Sequence, residues 1–231
     1  MFPIRDSHPP ERFPFINYLI IGITIFVFYL QLTAPDFEAF VLQYGFIPSD
    51  FDAVSPASYL PLLFAIFLHG GFMHIFSNLW FLHIFGDNVE GRFGHIPYLF
   101  FYLITGVAAT FAQYFIDPTS TIPMIGASGA ISGVAGAYFV LFNRSEIEAI
   151  IPIYFYIRRV TLPSWFFLGY WFVIQVFNGF GSLVILGSET GGVAWFAHVG
   201  GFAAGWLIAV TFGKSSRSNS SSDDMQEVFS V

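Results

Sequence analysis

The sequence predicts an all-α membrane protein with six transmembrane helices, and three observations lead to this fold class. The 231-residue chain is 55% hydrophobic and only 10% charged, whereas soluble domains carry about 25% charged residues. Its 32 Phe, 11 Tyr and 5 Trp bring more apolar surface than a water-facing globule of this size can hide. Turn and charged residues divide the chain into six apolar stretches, each near the roughly 20 residues that a bilayer-spanning helix needs.

The chain is expected to consist of one membrane domain between two polar ends. Residues 1–13 are read as a cytoplasmic N-terminus, 14–213 as the six-helix domain and 214–231 as a disordered Ser-rich cytoplasmic tail. The predicted spans cover residues 14–34, 66–86, 96–116, 124–142, 164–186 and 192–212. Residues 35–65 are expected to form a long outer loop, and residues 143–163 an amphipathic connector at the membrane surface.

The distribution of charge predicts the orientation and excludes several functions. All eight Lys and Arg residues fall on one side of the six predicted spans. This asymmetry predicts that both termini lie on the cytoplasmic side of a cell membrane. The formal charge of −7 and the lack of a basic stripe argue against nucleic acid as a partner. Zero cysteines exclude disulfides, thiolate metal sites and a Cys nucleophile.

Two polar residues lie near the outer end of the second predicted span. His74 and Asn78 are four residues apart, so they share one helix face. Polar groups inside a span are costly and are functional candidates, although hydrogen bonds that join neighbouring helices explain them equally well. His69, nearer the interface, is expected to be structural.

The fourth span opens with a run of small residues that includes a serine. Gly129 and Gly133 form a pair that allows another helix to approach closely. Ser128 lies near the expected helix start, where free backbone N–H groups and the positive end of the helix dipole can hold an anion. A serine inside a span more often bonds back to a carbonyl one turn earlier, so Ser128 alone does not establish catalysis.

The sixth span carries a histidine above a small-residue strip. His198, Gly201 and Gly205 are spaced by three and four residues and lie on one helix face. The strip fits the glycine face of the fourth span, and with it His198 is expected to reach the depth of Ser128.

Four polar groups are thus predicted to meet in one layer. Ser128 can act as a nucleophile with His198 as general base, while His74, Asn78 and the Ser128 N–H supply donors to an oxyanion. A metal site is the weaker alternative, because the layer contains no carboxylate and no H-E-x-x-H run. No metal and no cofactor are expected.

The ordered motifs resemble those of rhomboid intramembrane serine proteases of the basic six-helix form. The resemblance runs from about Phe64 to Phe212. It rests on three motifs: His74-x3-Asn78, Gly126-Ala127-Ser128-Gly129 and Ala197-His198-x2-Gly201-x3-Gly205.

The resemblance implies a rhomboid-like bundle that cleaves transmembrane or juxtamembrane segments of membrane proteins. Ser128 would be the nucleophile, His198 the base, and His74 and Asn78 the oxyanion groups. Ser132 departs from the family pattern, which often has an aromatic residue one turn after the nucleophile. The alternatives are a catalytically inactive rhomboid-like protein that binds transmembrane helices and a channel or transporter. The lipid bilayer and single-span protein substrates are the expected partners.

Overall fold

The computed structural model describes residues 1–153, 156–184 and 193–212, and these are mostly helical. The proposed tail, 214–231, lies outside the described residues. Eight α-helices are present in the described part of the chain: α1 (Phe15–Thr33), α2 (Phe37–Tyr44), α3 (Leu60–Phe64), α4 (Phe72–Phe93), α5 (His95–Tyr114), α6 (Ser128–Leu141), α7 (Ser164–Val184) and α8 (Trp195–Phe212).

Four of these helices, α1, α5, α7 and α8, are long and apolar enough to cross a membrane. The segment Pro56–Phe67 and α4 together make a fifth candidate, bent by 84° at the break between them. Helix α6 has only 14 residues, or about 21 Å of length, which is short of the roughly 30 Å hydrocarbon core. The membrane bundle is therefore present, while the count of six spans remains a prediction.

Helix α6 lies at the centre of the bundle. Every residue from 129 to 138 is buried, so α6 contacts protein on all sides. A methyl group built on Gly201 would lie 2.1 Å from the Gly129 carbonyl oxygen, and one on Gly205 would lie 1.9 Å from that of Gly133. Backbones of α6 and α8 are thus in direct contact, which is the packing that the small-residue pattern predicts.

A three-stranded antiparallel sheet was not predicted, so the all-α description and the amphipathic connector at 143–163 are corrected here. The strands are β1 (Phe2–Asp6), β2 (Glu146–Ile153) and β3 (Tyr156–Pro163), in the order β1-β2-β3. The start of β2 alternates acidic and apolar residues, and this period of two places one face of the strand against protein. The segment read as cytoplasmic, 1–13, thus begins with an ordered strand.

The sheet packs along α4 from its middle to its end. The Trp80 indole N–H donates to the Pro3 carbonyl at 2.7 Å, and the Asn88 amide donates to the Asp6 carboxylate at 2.6 Å. Ile147 of β2 is completely buried in the main hydrophobic core. The sheet therefore joins the N-terminal segment to the bundle at the end of α4 that lies far from His74.

A buried carboxylate fixes the start of α1. Glu90 accepts hydrogen bonds from the backbone N–H groups of Ile16 at 2.9 Å and Asn17 at 2.7 Å, and its carboxylate also pairs with the His95 imidazole. These N–H groups have no partner within α1, and the negative charge is favourable at a helix N-terminus. Glu90 thereby ties α1 to α4 at one face of the bundle.

The expected outer loop, 35–65, contains ordered structure. Asp36 caps α2 by accepting from the Ala39 N–H at 3.0 Å, and short 3-10 turns precede α3. Phe46 is buried, and its backbone pairs with Met124 through N–H to carbonyl bonds of 3.2 and 2.7 Å. The loop therefore holds the segment that leads into α6.

Candidate active site

Ser128 is the first residue of α6, and the two residues before it are held by hydrogen bonds. The Gly126 N–H donates to the Ala65 carbonyl at 2.8 Å, and the Ala127 N–H donates to His69 Nε2 at 3.5 Å. Gly126 has φ = +122°, a conformation that L side chains rarely adopt. This turn places the N–H groups of Ser128 and Gly129 in the first helical turn, where no intrahelical acceptor exists.

The structure assigns His69 a supporting position, in agreement with the expectation that it is structural. Its side chain is completely buried and its Nδ1 lies 3.3 Å from the Phe67 carbonyl oxygen, while Nε2 accepts from Ala127. Gln31 of α1 pairs with both the N–H and the carbonyl of His69, at 3.0 and 3.2 Å. His69 thus anchors the turn before Ser128.

His74 faces Ser128 with a defined tautomer. The Gly70 backbone N–H donates to His74 Nδ1 at 3.2 Å, and a backbone N–H can only donate. The neutral ring therefore carries its proton on Nε2. A methyl group built on Gly126 would lie 2.8 Å from His74 Nε2 and 3.8 Å from Ser128 Oγ, so imidazole and hydroxyl border the same small space. His74 is placed to donate to charge that develops beside Ser128.

Asn78 lies one turn further along α4 and is buried. Its amide nitrogen donates to the His74 carbonyl at 2.9 Å. One of its two N–H bonds is thus used within α4, and the other is free to serve a second acceptor. The structure brings Asn78 to the same face as His74, as its spacing predicts, without a bond from Asn78 to Ser128.

His198 is held by two residues of α7 that the sequence analysis did not assign to the site. Gln175 Oε1 lies 2.8 Å from His198 Nδ1, and the Gln175 side chain is buried. The Trp171 ring lies 6.0 Å from the imidazole, centroid to centroid, at an interplanar angle of 33°. Both residues share one face of α7, because they are four residues apart.

A signal for Gln175 was present in the sequence. It is a strongly polar side chain inside an apolar predicted span, which is by default a functional candidate. Its partner could not be derived, because contact with His198 depends on how α7 packs against α8.

Ser128 and His198 lie on α6 and α8, two helices whose backbones are in direct contact. Direct contact between Gly129 and Gly201 fixes the two helices, and Ser128 and Ala197 both line a cavity of about 40 Å³. Among the described residues no hydrogen bond joins the Ser128 hydroxyl to His198. Catalytic hydrogen bonds are often long without substrate, so this geometry is compatible with a dyad.

Ser132 does not take the place of the aromatic residue that the family pattern often has there. Its hydroxyl donates to the Ser128 carbonyl at 2.6 Å, and the side chain is buried. The aromatic contact to His198 comes instead from Trp171 of α7. The described residues contain no group of three or more His, Asp or Glu that could hold a metal ion.

The family model described as the Rhomboid domain matches residues 56–215 of this chain. Rhomboid-like protein 11, chloroplastic, of Arabidopsis thaliana is 31% identical over 154 residues, which cover 63% of this chain and 51% of that protein. RHOMBOID-like protein 4 of the same plant is 32% identical over 149 residues, covering 64% and 32%. Rhomboid protein 1, mitochondrial, of Saccharomyces cerevisiae is 27% identical over 151 residues, covering 63% and 41%.

The chain thus spans about half or less of the length of these relatives. The names of two of them place those proteins in chloroplasts and mitochondria. The matched region contains the whole candidate site, from His74 to His198, and covers more than half of the chain. The chain belongs to the rhomboid family.

Proposed function

We propose that this protein is an intramembrane serine endopeptidase that cleaves transmembrane or juxtamembrane segments of membrane proteins. One observation carries the proposal: Ser128 begins a buried helix beside the protonated nitrogen of His74, while His198 is held on the adjoining helix. A helix cross-link would not require a half-buried hydroxyl beside the His74 imidazole and the free N–H groups of a helix start. In the proposed enzyme Ser128 is the nucleophile, His198 the base and His74 an oxyanion donor.

The proposed reaction follows from the tautomers in the site. The Ser128 hydroxyl oxygen attacks the scissile carbonyl carbon and passes its proton to His198 Nε2. The resulting oxyanion accepts hydrogen bonds from His74 Nε2 and the N–H of Ser128, near the positive end of the α6 dipole. The imidazolium of His198 then donates its proton to the leaving amine. Water deprotonated by His198 hydrolyses the acyl ester and regenerates the serine.

The size of the cavity beside Ser128 supports small residues at the cleavage point. It measures about 40 Å³ and is bordered by Ser128 and by glycine and alanine residues, together with Ile66, Thr110, Met124 and Ile125. A space of this size holds about one water molecule or a small side chain. Substrates with Ala, Gly or Ser next to the scissile bond are therefore proposed to react faster than those with Leu or Phe.

The proposal includes six membrane crossings with both termini in the cytoplasm and the active site opening to the outer face of a cell membrane. The distribution of all eight Lys and Arg residues supports this orientation. Helix α6 need not match the bilayer thickness, because residues 129–138 contact protein rather than lipid.

The experiment is turnover of a single-span substrate in proteoliposomes by wild-type protein, Ser128→Ala, His198→Ala and Ser132→Ala. Both dyad variants should lose cleavage. Ser128→Ala should keep its melting temperature, because a half-buried hydroxyl adds little net stability. His198→Ala should melt lower, because it leaves the buried Gln175 acceptor without a partner. Ser132→Ala is the matched control, since this serine lies one turn away and bonds to the Ser128 carbonyl. Cleavage by Ser128→Ala would contradict Ser128 as the nucleophile, whereas a folded wild type that does not cleave would favour the inactive helix-binding alternative.

A further inference from the structure

The base His198 has a partner on Nδ1 that is neither a carboxylate nor a backbone group. Gln175 Oε1 lies 2.8 Å from Nδ1, and both side chains are buried, with exposed fractions of 5% for Gln175 and 9% for His198. An amide oxygen can only accept, so the bond places a proton on Nδ1. The lone pair of the neutral ring is then on Nε2, which is the form a general base requires.

The direction of the Gln175 amide is fixed by its own helix. The amide nitrogen lies 3.4 Å from the Trp171 carbonyl oxygen and donates to it. Because the nitrogen is used there, the oxygen is the atom presented to His198. The Trp171 ring covers one side of the imidazole, at a centroid distance within the range of aromatic contacts. Two residues of one α7 face therefore control both the tautomer and the plane of the ring.

The surroundings of His198 explain why a neutral amide suits this position. Helix α8, which carries His198, contacts α6 through glycine backbones. Gln175 and Trp171 of α7 and Trp195 of α8 contact the His198 ring. Within the described part of the chain, the titratable group that acts on His198 electrostatically is His74 of α4. A buried carboxylate here would carry a desolvation cost that only pairing with the His198 imidazolium offsets, whereas an amide orients the neutral ring without adding charge.

From these contacts we infer that Gln175 is a positioning residue for the reaction, holding His198 in the Nδ1-protonated form. The inference rests on the proposed function of Ser128 and His198. It also assigns α7, which contributes no reacting group, a direct role in the chemistry.

The first test measures kcat and KM against pH for wild type, Gln175→Ala, Gln175→Glu and Gln113→Ala. Gln175→Ala should lower kcat by about 10-fold to 100-fold with KM unchanged, by analogy with the loss of a hydrogen-bond partner that orients a metal-bound histidine. Gln175→Glu keeps an acceptor oxygen at the same reach and adds negative charge. Turnover by Gln175→Glu should recover relative to Gln175→Ala. The acid limb of its pH profile should move to higher pH than in wild type, because a carboxylate favours the imidazolium form of His198.

Gln113 provides the matched control. Its side-chain oxygen accepts from the Phe196 N–H at 3.1 Å, so it also links a neighbouring helix to α8 without contact to His198. Gln113→Ala should retain the kcat and pH profile of the wild type. Equal losses of kcat and melting temperature in Gln113→Ala and Gln175→Ala would show a structural role and overturn the inference.

The second test does not depend on turnover. Nitrogen-15 NMR of histidine-labelled protein, with His198→Ala used for assignment, should show the Nδ1-protonated tautomer in wild type and its loss in Gln175→Ala. An unchanged tautomer with wild-type kcat would overturn the inference. If Gln175→Ala does not fold, the pH profile of folded Gln175→Glu is the deciding measurement. A profile at the same pH as that of the wild type overturns the inference. A folded wild type that neither cleaves substrate nor reacts with a serine-directed reagent at Ser128 refutes the proposed function. The NMR result still tests whether Gln175 sets the tautomer of His198.

Discussion

Replacement of Gly205 by alanine should separate α8 from α6 and reduce activity at a distance. A methyl group at Gly205 would lie 1.9 Å from the Gly133 carbonyl oxygen, and ordinary contact begins at 3.4 Å. The two backbones must therefore move apart by about 1.5 Å, because neither atom is the end of a flexible side chain. His198 lies seven residues earlier on the same face of α8, or about 10 Å away.

The expected magnitudes follow from this displacement. Overpacking of this kind costs about 1–3 kcal/mol of unfolding free energy, and a misplacement of about 1 Å in a site can cost about 10²-fold in rate. Melting in detergent and turnover of a single-span substrate should both fall in Gly205→Ala. Gly22→Ala is the control, because a methyl group at Gly22 of α1 meets nothing within 4 Å. Equal melting temperature and kcat in the two variants would refute the tight α6–α8 contact.

Three further predictions concern the oxyanion groups, the topology and the sheet. His74→Ala should lower kcat by about 10²-fold to 10³-fold. Asn78→Ala should lower it by less, because one Asn78 N–H already donates to the His74 carbonyl. A larger loss of kcat in Asn78→Ala than in His74→Ala would make Asn78 the main oxyanion donor. A cysteine replacing Ser49 should react with an impermeant maleimide outside intact cells, whereas one replacing Glu11 should react only after permeabilisation; the opposite pattern would invert the orientation. Burial raises the pKa of Asp6 above its ordinary 3.8, so its stabilising contribution is complete below that pH and is lost as pH rises through the raised pKa. Chemical unfolding across this pH range should show the loss in wild type and not in Asp6→Asn, and identical pH dependence would contradict it.

The glycine pattern predicted the central helix pair well. Gly201 and Gly205 were expected to face the fourth span, and in the structure they lie against the Gly129 and Gly133 backbones of α6. Such contacts can be derived from sequence, because small residues at a spacing of four have few other uses in a membrane helix. The fourth span was predicted at 124–142 with Ser128 near its start, and α6 begins at Ser128 itself.

Other features depend on tertiary contacts that no local pattern encodes. The strand β2 carries a period-two pattern at its start, but its pairing with the first residues of the chain spans more than 140 positions. Gln175 was visible as a polar residue in a span, yet its bond to His198 requires the packing of α7 against α8. The tautomer of His74 likewise depends on the Gly70 N–H, whose direction is set by the turn before α4.

The most direct measurement of the central claim is the position of a covalent adduct. The protein in detergent would be treated with a fluorophosphonate, digested and analysed by mass spectrometry for the modified serine. A nucleophile activated by His198 predicts one adduct on Ser128, lost in His198→Ala, with no modification of Ser132 one turn away. An unmodified Ser128 in folded wild-type protein, or equal labelling of Ser128 in His198→Ala, would contradict a Ser128–His198 dyad.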